Sequence, residues 1–117
     1  MRLINNTRNT IIADNAQIAD TVISRLVGLL NRSEILPGEA LVITQCRSIH
    51  MFFMKFGIDV IFVNKKNIVV GLVKRIQPFQ MSPYFIWASR AIELPEGVIE
   101  KTQTSLGDRI LFEGVQS

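Results

Sequence analysis

The stretch IDVIFVNKKNIVVGLVKR, Ile58 to Arg75, decides the fold: two runs rich in β-branched residues flank Lys65 and Lys66, with an asparagine on each side of the pair. Runs this short and this rich in valine and isoleucine favour strands, and Asn-Lys-Lys-Asn between them predicts a tight hairpin turn over Asn64–Asn67. Under strand alternation Asp59, Ile61 and Val63 share one face while Ile58, Val60 and Phe62 point the other way. Both faces are apolar, so the strand is expected to be covered on both sides. An ionised carboxylate at Asp59 is costly there unless it meets water, a cation or hydrogen-bond donors. Two roles fit: an aspartate at a strand entrance accepting loop amides, the more frequent arrangement, or a functional carboxylate paired with His50, Lys55 or an arginine.

Outward from this hairpin the signals stay mostly β. Residues 2–5 and 10–19 predict two short strands joined as a hairpin, with Asn-Thr and Asp-Asn as turn signals. Asp20 stands before TVISRLVGLLNR, where Val22, Ile23, Leu26, Val27, Leu29 and Leu30 recur at helical spacing, so a helix with one buried face is expected over 21–30. Pro37-Gly38 marks a turn before ALVITQC, a strand. IQPFQMSPYF, with two prolines and no period, reads as a loop, and IWASRAIEL returns to β character until Pro95. A short helical turn near 95–103 and a final turn and strand over LGDRILFEG complete the order. Many short strands with a single clear helix indicate a mainly β (α+β) fold, a compact antiparallel sandwich or barrel with one packed helix, rather than a doubly wound parallel sheet.

A chain of 117 residues is the size of one domain, and its 48% hydrophobic and 20% charged residues are those of a globular protein. No apolar run approaches the ~20 residues of a membrane-spanning helix, so no membrane insertion is expected. The first ten residues lack the apolar region of a secretory signal, which makes the cytoplasm the expected compartment. The net charge of +3 is a mild excess. The pairs Lys65-Lys66 and Lys74-Arg75 are short and read as solvated turn and strand-end charges, so no nucleic-acid partner is expected.

The polar residues offer few sites for chemistry. Cys46 and His50, four apart, would be ~13 Å apart in an extended segment, far beyond nucleophile–base reach, and a buried cysteine acting as a small hydrophobe is the commoner case. One histidine and one cysteine cannot build a structural zinc site, so no metal and no cofactor are expected. On the expected helix Arg25 and Arg32 lie two turns apart on one side with Gly28 between them, a basic edge with a notch; a solvated helix face whose glycine packs on a strand gives the same pattern.

RLVGLLNRSEILPGEALV (25–42), CRSIHMFFMKFGIDVIFVN (46–64), AIELPEGVIEK (91–101) and LGDRI (106–110) together resemble DUF192, a family of small bacterial and archaeal domains of uncharacterised function. The resemblance implies that residues 1–117 form a single, mostly antiparallel β domain with one packed helix. The polar positions it marks are Arg25, Gly28, Arg32, Arg47, His50, Lys55, Asp59, Gly107 and Asp108. Relatives with a Pro-Cys pair in the loop that here reads QPFQMSPYF have a cysteine this chain lacks, which argues against redox chemistry.

Three functional readings compete. In the first, Arg25, Arg32, Arg47 and His50 gather around one cleft that Asp59 and Trp87 help to shape, and bind a small polar or anionic ligand. In the second, a hydrolase or isomerase uses His50 as general base oriented by Asp59. In the third, exposed Met51, Phe52, Phe53 and Met54 form an interface for a protein partner, as in an accessory of an envelope or secretion system.

Overall fold

The computed structural model describes residues 1–19, 34–51 and 54–114. Among them are eight strands and one short helix: β1 (Arg2–Asn5), β2 (Thr10–Ala13), β3 (Asn15–Ala19), β4 (Glu39–Thr44), β5 (Ile58–Val63), β6 (Val69–Ile76), β7 (Arg90–Leu94), α1 (Val98–Lys101) and β8 (Ile110–Glu113). The helix expected over 21–30 lies outside the described residues, and Arg25, Gly28 and Arg32 with it. The helical turn expected near 95–103 is α1.

The strands form two sheets rather than a closed barrel: three strands in the order β2-β1-β8 and five in the order β3-β4-β7-β5-β6. The hairpin at the centre of the sequence joins β5 to β6. Its turn closes where the Asn67 N–H donates to the Asn64 carbonyl at 3.0 Å. Asn67 takes φ +62°, a left-handed conformation asparagine tolerates, while the Asn64 side-chain oxygen accepts the N–H groups of Lys66 and Ile68.

The single strand expected over 10–19 is two. The amides of Asp14 and Asn15 both donate to the Gly38 carbonyl, at 3.1 and 2.9 Å, and the chain pivots there. β2 stays with β1 in the small sheet, while β3 crosses to the large one and pairs with β4 in parallel, a departure from the antiparallel expectation. Every other pairing is antiparallel.

β5 is buried along its whole length, so both of its faces are covered. On one side Ile61 and Val63 join Leu3, Ile12, Val42, Ile92, Leu94 and Ile110 in a core drawn from both sheets. On the other, Ile58, Val60 and Phe62 pack with Ile35, Ile43, Ile49, Met51 and Ile76. Each large side chain removed from water in these layers contributes roughly 1.5–3 kcal/mol. Part of the cover over the second layer is a ribbon in which residues 47–51 run beside 79–85: Met51 N–H donates to the Gln80 carbonyl, Ser82 N–H to Ile49 and Phe85 N–H to Arg47, each at 2.8 Å.

This ribbon corrects the interface expected at Met51–Met54. Met51 is fully buried and Met54 packs against the second core, while Phe52 and Phe53 lie outside the described residues. Exposed apolar surface concentrates instead on the facing segment, at Phe79, Met81, Tyr84, Ile86 and Trp87.

Candidate functional site

Asp59 is completely buried, and its position follows from a bulge in the β5–β6 pairing. Ile58 faces Ile76 and Val60 faces Val73, leaving Lys74 and Arg75 opposite the aspartate. The extra residue is taken up by Arg75 in a left-handed conformation, φ +54°, which turns its N–H onto Asp59 Oδ1 at 2.9 Å. Asp59 Oδ2 accepts the N–H groups of Gly97 and Ile99, each at 3.0 Å. These are amides at the start of α1, which the helix itself cannot satisfy. Three backbone donors therefore compensate the buried carboxylate, the arrangement of a structural anchor.

His50 is exposed on the ribbon, bridged to Met81 rather than built into the five-stranded sheet. Glu93, on β7, is buried as Asp59 is, opposite Val60 on one side and Leu41 on the other. Burial in these surroundings raises its carboxyl from 4.5 to about 7. Among the described residues no group of three or more His, Cys, Asp or Glu could hold a metal ion.

A concave surface lies where the Asn64–Asn67 turn meets the end of the 79–89 segment. β5 and β7 pair with Val63 opposite Arg90, so the turn beyond Val63 and the residues before Arg90 leave the sheet side by side. The Ser89 N–H closes this junction on the Val63 carbonyl at 2.8 Å. A hollow of about 720 Å³ results, lined by Arg47, Asn64, Lys65, Lys66, Val70, Ile86, Trp87, Ala88 and Ser89. A second hollow of about 450 Å³ shares Arg47, Lys65, Ala88 and Ser89 and adds Gln45, Cys46, Ser48 and Tyr84. The two are parts of one groove.

Backbone and core hold the rim of this groove in place. Phe85 packs on Phe62 with ring centroids 4.5 Å apart, and its ring lies against Gly71, where even a Cβ would come within 2.5 Å of it. Arg47 is held across the groove, with Nε donating to the Ala88 carbonyl at 3.3 Å and a terminal nitrogen to the Tyr84 hydroxyl at 3.4 Å. Arg90 donates to the Asn67 side chain and stacks over Phe112 at 4.3 Å, bracing the hairpin turn. With the backbone so fixed, Trp87 projects outward and is 78% exposed.

The electrostatics are one-sided. Among the described residues three cations line the large hollow and no carboxylate does. Among the described residues no salt bridge reaches Arg47, Lys65 or Lys66. The origin is visible in the sequence: between Glu39 and Glu93 the single acidic residue is Asp59, which is buried, whereas Arg47, Lys55, Lys65, Lys66, Lys74, Arg75 and Arg90 all fall in that interval.

Of the residues singled out from sequence, the fold brings Arg47 and Trp87 to one hollow. His50 and Asp59 line neither part of the groove, and Arg25 and Arg32 lie outside the described residues. Sequence reasoning passed over Lys65 and Lys66 because no aromatic neighbours them in the chain; the interval from Glu39 to Glu93, with seven cations against Asp59 alone, was the signal that could have found them.

The DUF192 family model, described as "Uncharacterized ACR", matches residues 3–112. A UPF0127 protein of Thermococcus sibiricus is 37% identical over 118 residues, covering 95% of this chain and 74% of the relative. A UPF0127 protein of Pyrococcus furiosus is 32% identical over 114 residues, covering 92% and 95%. Among solved structures, a protein of unknown function from Novosphingobium aromaticivorans superposes with a TM-score of 0.83 at 17% identity, covering 96% of this chain and 84% of that one, a likeness of fold alone. With the family model matched from the first strand to the last, and relatives above 30% identity along nearly the whole length, the chain belongs to the DUF192 family.

Proposed function

We propose that the chain is a binding module for a small anionic ligand, held in the hollow between the Asn64–Asn67 turn and the 86–89 segment. The observation that carries this reading is the lining: Arg47, Lys65 and Lys66 converge next to an exposed indole, with no carboxylate beside them among the described residues. Cations gathered without counter-charge repel one another, and an anion relieves that repulsion. Arg47 offers a planar donor fork for an oxyanion, and the two lysines add mobile point charges.

The alternative of His50 as a general base draws less support. It relies on Asp59 to orient the imidazole, and both Asp59 oxygens already accept backbone N–H groups.

Titration with inorganic phosphate, followed by amide chemical shifts, tests the binding reading. The shifts should concentrate on Arg47, Lys65, Lys66 and Ser89. Replacing both lysines by alanine should weaken binding at least about tenfold, which corresponds to ~1.4 kcal/mol. Shifts scattered over the surface, or affinity unchanged in the double variant, would overturn it.

A further inference from the structure

The groove is larger than an oxyanion requires, and half of its character is not electrostatic. Ile86 and Trp87, 62% and 78% exposed, stand beside the cations, and Tyr84, 65% exposed, adjoins them where Arg47 holds its hydroxyl. Their neighbours Phe85 and Ala88 turn inward and pack with the second core. The segment is thus anchored on either side of Ile86 and Trp87, and the indole is held out on a fixed backbone instead of packing. A bare oxyanion would engage the lysines and leave this apolar wall in water.

We infer that the ligand joins its anionic group to a flat unsaturated ring, the chemistry shared by a nucleoside monophosphate and an aromatic carboxylate. The inference rests on the anion-binding reading above and adds the ring. Trp87 supplies the face on which the ring stacks, Ile86 extends the wall, and Arg47, Lys65 and Lys66 hold the anion. A tryptophan face accepts any planar ring, and such stacking is strong enough to separate a ligand with a ring from one without. A hollow of about 720 Å³ suits a ligand of that size.

Trp87 is the chain's one tryptophan, so its indole N–H gives a single resonance that reports on the site. The full chain is titrated with adenosine monophosphate, with ribose 5-phosphate, which keeps the phosphate and lacks the base, and with phenylacetate. Adenosine monophosphate is expected to move the indole resonance and to bind at least about tenfold more tightly than ribose 5-phosphate. Trp87→Ala, a change at an exposed side chain, should abolish that ratio while ribose 5-phosphate still shifts the Lys65 and Lys66 amides; Trp87→Phe should keep most of it. Where adenosine monophosphate does outbind ribose 5-phosphate, phenylacetate ahead of adenosine monophosphate assigns an aromatic carboxylate, and the reverse order assigns a nucleotide. Equal affinity for adenosine monophosphate and ribose 5-phosphate, with both shifting the lysine amides, overturns the ring and leaves the anion site standing. Binding of neither overturns both.

Discussion

Replacing Asp59 by alanine leaves three backbone amides, those of Arg75, Gly97 and Ile99, without their acceptor in a region closed to water. The expected cost is about 2–4 kcal/mol, read as a lower midpoint in urea unfolding, with the anion affinity of the folded protein unchanged. That Asp59 needs a partner could be read from its apolar neighbours; which groups satisfy it could not, because Gly97 and Ile99 lie 38 and 40 residues away. Glu93 gives a prediction of opposite sign. Its carboxyl stays protonated in the fold up to about 7 but ionises near 4.5 when unfolded, so folding takes up a proton between those values. Stability from this residue therefore falls as pH rises from about 4.5 to about 7, by roughly 3 kcal/mol, and then levels off. Glu93→Gln, which mimics the protonated acid, should gain roughly 1–3 kcal/mol over the parent at about pH 8 and less than about 1 kcal/mol at about pH 5, by urea unfolding at both. Nothing in AIEL announced this burial, since a glutamate at a strand position is ordinarily exposed.

Gly71 on β6 couples the sheet to the groove. Its missing side chain makes room for the Phe85 ring, whose atoms would lie 2.5–2.8 Å from an added Cβ. Gly71→Ala should push that ring outward, lower stability by about 1–3 kcal/mol and weaken phosphate binding, because Phe85 anchors the segment that carries Ile86 and Trp87. Phosphate affinity retained in a destabilised Gly71→Ala protein would show that the groove does not depend on this contact. The element scale is also where local and distant signals part. The β5–β6 hairpin was legible because its turn chemistry and both of its strands lie within one short stretch. The break at Asp14 was not, because the carbonyl that creates it belongs to Gly38, in a different part of the chain. For the same reason Arg47 and Trp87 could be chosen by residue type, whereas their meeting with Lys65 and Lys66 depends on the β5–β7 register.

Across the whole molecule, acidic groups tie the ends of the chain while the middle carries the cations. Asp108 Oδ2 accepts from Asn5 Nδ2, the Ser105 N–H and Arg8 Nε, at 2.9, 2.9 and 3.2 Å, joining the N-terminal hairpin to the turn before β8. Burial pushes this carboxyl up, but the bonds from Asn5 and Ser105 and the Arg8 guanidinium outweigh it and hold it below its ordinary value. Its contribution is complete above that ordinary value of 3.8 and is lost as pH falls through the depressed one. Asp108→Asn should therefore destabilise the protein near neutrality, with the gap from the parent closing in strong acid, as read by urea unfolding at both pH values. The middle interval responds to salt instead: phosphate affinity should fall as ionic strength rises, since the three cations of the groove act on the anion through solvent. The small sheet has a further consequence, for biosynthesis. β1 lies between β2 and β8, so the strand is synthesised well before one of its two neighbours, which follows roughly a hundred residues later. At about 5–20 residues per second the nascent hairpin waits on the order of 5–20 seconds with Leu3 and Ile12 uncovered, an interval in which a chaperone, or a second nascent chain, has access to surface that the finished protein never displays.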